Sequence, residues 1–188
     1  MLGPVEVTDG TRLLPAGGYR QRLVLAALLS RPGELLGTDW LIEAVWGDEP
    51  PRTARKTLQA YITRLRHLVG EDVISTARDG YRLTVTADTL DALRFERLAR
   101  EGRAVLADDP GRAATLLHQA LAMWRGNAFG DLGDVPALIP AARHLHEVRL
   151  VTIEARLEAD LACGQGSDLV AERTEVGVGV PVRGGVGG

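Results

Sequence analysis

RTARKTLQAYITRLRHLVG, residues 52–70, carries its apolar side chains at helical spacing. Leu58, Tyr61, Ile62, Leu65, Leu68 and Val69 recur at i, i+3, i+4, i+7, i+10 and i+11, which is one stripe of a helix. The opposite face holds Arg52, Lys56, Gln59, Ala60, Thr63 and His67. Arg55 and Arg66 flank one side of that face and Arg64 the other. No Asp or Glu occurs between Pro51 and Gly70. A solvated helix ordinarily mixes signs, because opposite charges four residues apart support it. Arg and Gln are also the side chains that pair with guanine and adenine edges in a major groove. Taken alone, the stretch is equally compatible with a basic surface helix that binds nothing.

The flanking sequence adds the context of a small mixed domain. LGPVEV and TRLL read as two short strands around Thr8-Asp9-Gly10. A helix is expected from about Tyr19 to Ser30, ended by Arg31-Pro32-Gly33. Leu35-Leu36 reads as a short extended piece, with Thr38 as the natural cap of a second helix to Trp46. Gly47–Pro51 is a loop, the basic helix starts at Arg52 or Thr53, and Gly70 stops it. Val73–Thr76 and Tyr81–Val85 read as a hairpin around Arg78-Asp79-Gly80. Two helices joined by a short loop, the second basic and followed by a hairpin, form a winged helix-turn-helix.

Residues beyond 86 read as helices alone. One spans Asp88 to Ala107 and is broken by Asp108-Asp109-Pro110. The next has the stripe Ala113, Leu116, Leu117, Ala120, Leu121 and Trp124. A long helix follows from Pro136 or Ala137 to Cys163, with Gly164 as its stop. Leu145, Val148, Ile153, Leu157 and Leu161 are its candidate buried side. Antiparallel helix pairs of this size are tetratricopeptide-like. RTEVGVGVPVRGGVGG, residues 173–188, has no periodicity and reads as a disordered tail, either out-of-frame translation or a native flexible segment. The expected fold is therefore an α+β winged helix (1–86), an incomplete all-α tetratricopeptide-like domain (87–172) and a tail (173–188).

Composition narrows the function. The chain has 188 residues, net charge −3, 45% hydrophobic and 25% charged residues, which suits a soluble globular protein. Residues 1–86 are about neutral and the remainder is acidic, so attraction to nucleic acid must come from a local patch. Apolar runs such as Leu23–Leu29 are too short to span a bilayer, and no signal peptide precedes the first element. Cys163, the single cysteine, is expected to be a buried thiol. A cytoplasmic protein with no membrane association is the reading. His144 and His146 lie two apart on a helix and diverge, and one Cys makes no zinc site. No phosphate cradle or nucleophile elbow is present. No catalytic residue, cofactor or metal is expected, and no receiver domain. Trp40, Trp46 and Trp124 are expected to pack in the core.

Residues 1–86 resemble an OmpR-type winged-helix DNA-binding domain. LIEAVWGDEPP (41–51), TLQAYITRLRHLVG (57–70) and DGYRL (79–83) carry the match. LGPVEV and the W-G-D-x-P-P spacing resemble more narrowly the AfsR/DnrI/RedD group, the Streptomyces antibiotic regulatory proteins. LDALRFERLAREGRAVL, ALAMWRGNAFGDL, HLHEVRL and RLEADLACG resemble the bacterial transcriptional activator domain of that group over about residues 90–172.

The resemblance implies a sequence-specific DNA-binding activator. Its DNA-facing residues would be Gln59, Thr63, Arg64 and Arg66 on the 53–69 helix and Arg78 in the wing. The bare helix face adds Arg52, Arg55 and Lys56. It further implies a direct-repeat operator on double-stranded DNA, self-association there, and contact with RNA polymerase through the Gly47–Pro51 loop. Two other readings stand beside it: a helical protein-interaction module, and a remnant that binds DNA without activating. On any of them residues 1–86 are expected to fold alone. The long helix is expected to expose apolar side chains or cover them by self-association.

Overall fold

The computed structural model describes residues 1–176, with side-chain surroundings through Gly164. The element order follows the sequence reading closely. Strands β1 (Val7–Asp9) and β2 (Arg12–Leu14) form a hairpin; α1 (Tyr19–Leu29) follows. Then come β3 (Leu35–Gly37), α2 (Thr38–Trp46) and α3 (Ala54–Val69). Strands β4 (Ile74–Ala77) and β5 (Gly80–Leu83) complete a three-stranded antiparallel sheet in the order β3-β5-β4. The helical half contains α4 (Asp91–Val105), α5 (Pro110–Leu121), a 3-10 turn at Gly130–Leu132 and α6 (Ile139–Val176).

α3 forms where expected because its stripe is buried: Leu58 and Leu65 have no exposed surface and Ile62 has 1%. Each such side chain contributes about 1.5–3 kcal/mol. Gly70 stops it at a φ of 109, which suits glycine, and donates its N–H to the Arg66 carbonyl at 2.8 Å. α1 lies at the centre of the molecule, with every residue from Leu23 to Leu29 buried. α2 and α3 pack on one side of it, and its end meets Leu90, Leu93 and Leu145 across a small cleft. Tight backbone approach holds the sheet: a Cβ on Gly80 would stand 2.0 Å from the Leu36 carbonyl oxygen. Thr38 is the first residue of α2 rather than its cap, and its hydroxyl donates to the Asp79 carbonyl at 3.3 Å.

The first residues behave differently from the expected strand. Leu2–Glu6 do not pair with β2. They run beside the loop after α5 instead. Arg125 N–H donates to the Leu2 carbonyl at 2.7 Å, Phe129 N–H to the Met1 carbonyl at 2.9 Å, and Pro4 bridges Phe129. Phe129 is fully buried with φ 62, a left-handed backbone that costs a non-glycine residue about 1–3 kcal/mol and that this pairing sustains. The core consequently crosses residue 86. Met1, Leu2 and Val5 belong to one cluster with the α1 side chains, Phe95, Phe129, Leu132 and Leu145. The sequence reading has residues 1–86 folding alone; the buried cluster spans that boundary.

In the helical half, α4 and α5 pack so closely that a Cβ on Gly102 would lie 2.7 Å from Leu117 Cγ. Asp109 caps α5, accepting the Arg112 N–H at 2.9 Å, with Pro110 at the first turn. α6 departs from the expectation in three ways. It continues past Gly164 to Val176. An isolated glycine costs a helix about 1 kcal/mol and does not end it unless the backbone turns left-handed. Residues 173–176 of the expected tail thus belong to the helix, and residues 177–188 lie outside the described residues. Its buried face is Ala142, Leu145, Thr152, Ala155 and Ala159, the last two against Ala113 and Leu117. Small side chains let α5 close on it, which leaves Leu157 49% and Leu161 67% exposed instead of buried. Cys163 is exposed, one turn beyond the last residue that α5 covers. The bare apolar side chains expected on this helix are present: Leu150 and Val151 are exposed as well. Trp40, Trp46 and Trp124 sit half-buried at the edge of the core.

Candidate nucleic-acid interface

α3 turns its charged face outward because its apolar stripe is committed to the core. Arg52, Arg55, Lys56, Gln59, Thr63 and Arg64 are all exposed. Among the described residues, Arg52, Lys56, Arg64 and Arg78 form no ion pair with a carboxylate. Arg55 does: its Nη2 lies 2.6 Å from Asp39 Oδ1 at the first turn of α2. Both side chains are largely solvated, so the pair is weak and can exchange for another anion. Thr63 Oγ1 donates to the Gln59 carbonyl at 3.1 Å, leaving its lone pairs and the Gln59 amide outward. At the end of the face, His67 Nδ1 is 2.8 Å from Glu71.

Arg66 is placed differently from its neighbours. It is half-buried, its Nε donates to the Ile74 carbonyl at 2.7 Å, and its Nη2 donates to Thr76 Oγ1 at 2.6 Å. The sequence reading grouped it with the DNA-facing residues; its guanidinium is engaged on β4. Helical position puts it at the flank of that face and the family resemblance puts it among the DNA-facing residues; nothing in the periodicity signals a partner eight residues on.

Arg78 is exposed at the tip of the β4–β5 turn. The next residue, Asp79, accepts the Thr38 N–H at 2.9 Å through its carbonyl. This contact brings the wing tip to the start of α2, where Asp39 also meets Arg55. The start of α2 therefore links the two parts of the surface. The Gly47–Pro51 loop is exposed and carries Asp48 and Glu49 between α2 and α3.

One residue escaped the sequence reading. Arg20 lines an open cleft of about 650 Å³ with Tyr19, Tyr61 and Arg64, between the start of α1 and the flank of α3. Its guanidinium lies 6.0 Å over the Trp46 ring. The lining contains no carboxylate. Tyr19-Arg20 beside a glycine pair was the only signal. Outside this surface, His144 Nε2 pairs with Glu96 at 3.0 Å, and His146 lies 5.4 Å from the Trp124 ring, so the two diverge. No group of His, Cys, Asp or Glu among the described residues could hold a metal ion. No helix among them is long and apolar enough to cross a membrane.

A helix pair presenting a basic face, flanked by a hairpin anchored to it, defines a winged-helix transcriptional regulator. Family comparison agrees and narrows the class. Residues 17–83 match the family "Transcriptional regulatory protein, C terminal", and residues 90–183 match "Bacterial transcriptional activator domain". The second match runs past residue 172, where the sequence resemblance was expected to end. The chain belongs to the AfsR/DnrI/RedD group of transcriptional regulators. It is 34% identical to regulatory protein DnrI of Streptomyces peucetius over 92% of this chain and 68% of that protein. It is 35% identical to regulatory protein AfsR of Streptomyces griseus over 97% of this chain. The solved structure of Mycobacterium tuberculosis EmbR in complex with a low-affinity phosphopeptide is similar, with a TM-score of 0.82 and 34% identity. That match covers 93% of this chain and 48% of the EmbR chain. The chain spans 19% of the length of AfsR and 46% of that of EmbR.

Proposed function

We propose that this chain binds double-stranded DNA in the cytoplasm, with α3 in the major groove and the β4–β5 hairpin against the flanking backbone. One observation carries the reading: Arg52, Lys56, Gln59 and Thr63 are exposed on a helix that itself bears no carboxylate, and Arg78 is exposed in the β4–β5 turn. Gln59 is placed for base edges, and Arg64, at the rim of the face, for a phosphate. Arg52, Lys56 and Arg78 supply positive charge for the backbone, and Arg55 joins them by leaving Asp39. The overall charge of −3 means that attraction is local and short-ranged in salt.

The same reading makes the protein an activator that occupies direct repeats, self-associates there, and touches RNA polymerase through the exposed Gly47–Pro51 loop. The exposed apolar side chains of α6 support an additional interaction role for the helical half. A duplex selected from a random-sequence library, followed by a gel-shift series across salt concentrations, tests the reading. The expected result is a selected consensus and a log–log salt slope of several units. Failure to enrich any sequence, with binding no tighter than to bulk DNA, overturns it.

A further inference from the structure

We propose that Arg66 is a positioning residue that sets the pitch of the wing against α3, rather than a DNA contact. The inference rests on the DNA-binding reading above. Among the described residues β4 is an edge strand, paired with β5 alone. Arg66 covers the open edge with two bonds from one planar group, to the Ile74 carbonyl and to the Thr76 hydroxyl. Such a fork fixes direction as well as distance, which the single ammonium of a lysine does not.

The hairpin has a second anchor at its other end. Thr38 donates both N–H and hydroxyl to the Asp79 carbonyl, and Gly80 lies against the Leu36 carbonyl with no room for a side chain. With β5 paired along β3, and β4 held at Ile74–Thr76 by Arg66 and at the turn by Thr38, the hairpin is restrained on both of its strands. The separation between Arg78 and the outward face of α3 is thereby fixed before DNA arrives. Groove and flanking backbone are then met together, without an ordering cost at binding. Removing the Arg66 fork should leave α3 and the pairing of β5 with β3 intact and loosen β4, the strand that leads into Arg78.

The test separates positioning from contact. In the free protein, amide exchange at Ser75 and Ala77, whose N–H groups face β5, should speed up at least about tenfold in Arg66→Ala and in Arg66→Lys, since both break the fork. On the selected duplex both variants should lose affinity about tenfold, while the salt slope stays within half a unit of wild type. Lys56→Ala, in contrast, should lower the slope by about one. Thr76→Val removes one bond without changing charge. It should reproduce part of both effects, and it covers the case in which Arg66→Ala does not fold. A slope lowered by about one in Arg66→Ala, with wing exchange unchanged, makes Arg66 a phosphate contact and overturns the proposal. Full recovery of affinity in Arg66→Lys overturns it as well. If Lys56→Ala leaves the slope unchanged, the DNA-binding reading of α3 is what fails, and the exchange data still decide whether Arg66 holds the wing.

Discussion

Asp91, in the first turn of α4, takes the Met1 ammonium between its two carboxylate oxygens, each at 2.8 Å. It also accepts the Leu2 N–H at 3.1 Å. Burial alone would raise the Asp91 carboxyl; the ammonium, its hydrogen bonds and the Leu2 N–H more than offset this and hold it below the usual range. A depressed carboxylate adds stability above its unfolded value, near 3.9, and that stability is lost as pH falls through the folded one. Asp91→Asn should therefore destabilise the chain at neutral pH by about 1.5–3 kcal/mol, the range for hydrogen bonds to charged groups. The difference between variant and wild type should shrink below about pH 4. Thermal melts from pH 3 to pH 7 check both; a constant difference across that range would show that the carboxylate charge contributes nothing.

Lys56→Ala and Arg64→Ala should weaken DNA binding while leaving the melting temperature near wild type, because neither lies on the buried stripe. Lys56 faces outward without a carboxylate partner, so its loss should remove about one unit of salt slope. Arg64 at the cleft with Arg20 should behave likewise, whereas Gln59→Ala should cost about 1–3 kcal/mol at a single base position and leave the slope alone. Salt-dependent binding to the selected duplex distinguishes these outcomes. Equal effects of all three variants on slope would show that Gln59 does not read a base.

Leu65→Ala should cost about 2–5 kcal/mol, as truncation of a fully buried leucine does. Ile62→Ala, 1% exposed, should fall in the same range. Chemical denaturation measures both. A cost below 1 kcal/mol for either would mean that α3 is rotated relative to its core.

The same helix shows why so much was readable. Its burial, its basic face and its Gly70 stop are local properties, carried by residue type at a period of 3.6. The hairpin around Arg78-Asp79-Gly80 and the α5 stripe through Ala113, Leu117 and Ala120 are local in the same sense. What the sequence concealed depends on contacts far along the chain. Arg66 meets Ile74 only because the wing folds back on α3. Leu2–Glu6 carry a strand pattern but pair with residues 125–129. On α6 two stripes compete, one of small residues through Thr152, Ala155 and Ala159, the other through Leu150, Leu157 and Leu161. Hydrophobicity favours the leucines; the close approach of α5 favours the alanines, and packing decides. Arg20 was invisible for a related reason, since its place in the cleft comes from α2 and α3 lying beside it.

The shared core bears on whether residues 1–86 can fold alone. Met1, Leu2 and Val5 are buried against the helical half, and the end of α1 meets Leu90, Leu93 and Leu145. Cutting at residue 86 would bare Met1, Leu2, Val5 and the end of α1, and would leave the Met1 and Leu2 carbonyls without the Phe129 and Arg125 N–H groups that they accept. Each large apolar side chain returned to water costs about 1.5–3 kcal/mol, and a small domain has only about 5–15 kcal/mol in total. A fragment of residues 1–86 should therefore melt well below the full chain and bind a hydrophobic dye. It should lose DNA affinity in proportion to its unfolded fraction. The full chain should unfold in one cooperative step, because Met1, Leu2 and Val5 share one buried cluster with α1, Phe95, Phe129 and Leu132. Calorimetry with a second spectroscopic probe tests this. Two separated transitions, or a fragment as stable as the full chain, would show that the contacts between Met1–Glu6 and Arg125–Asp131 contribute little and that each half keeps its own core.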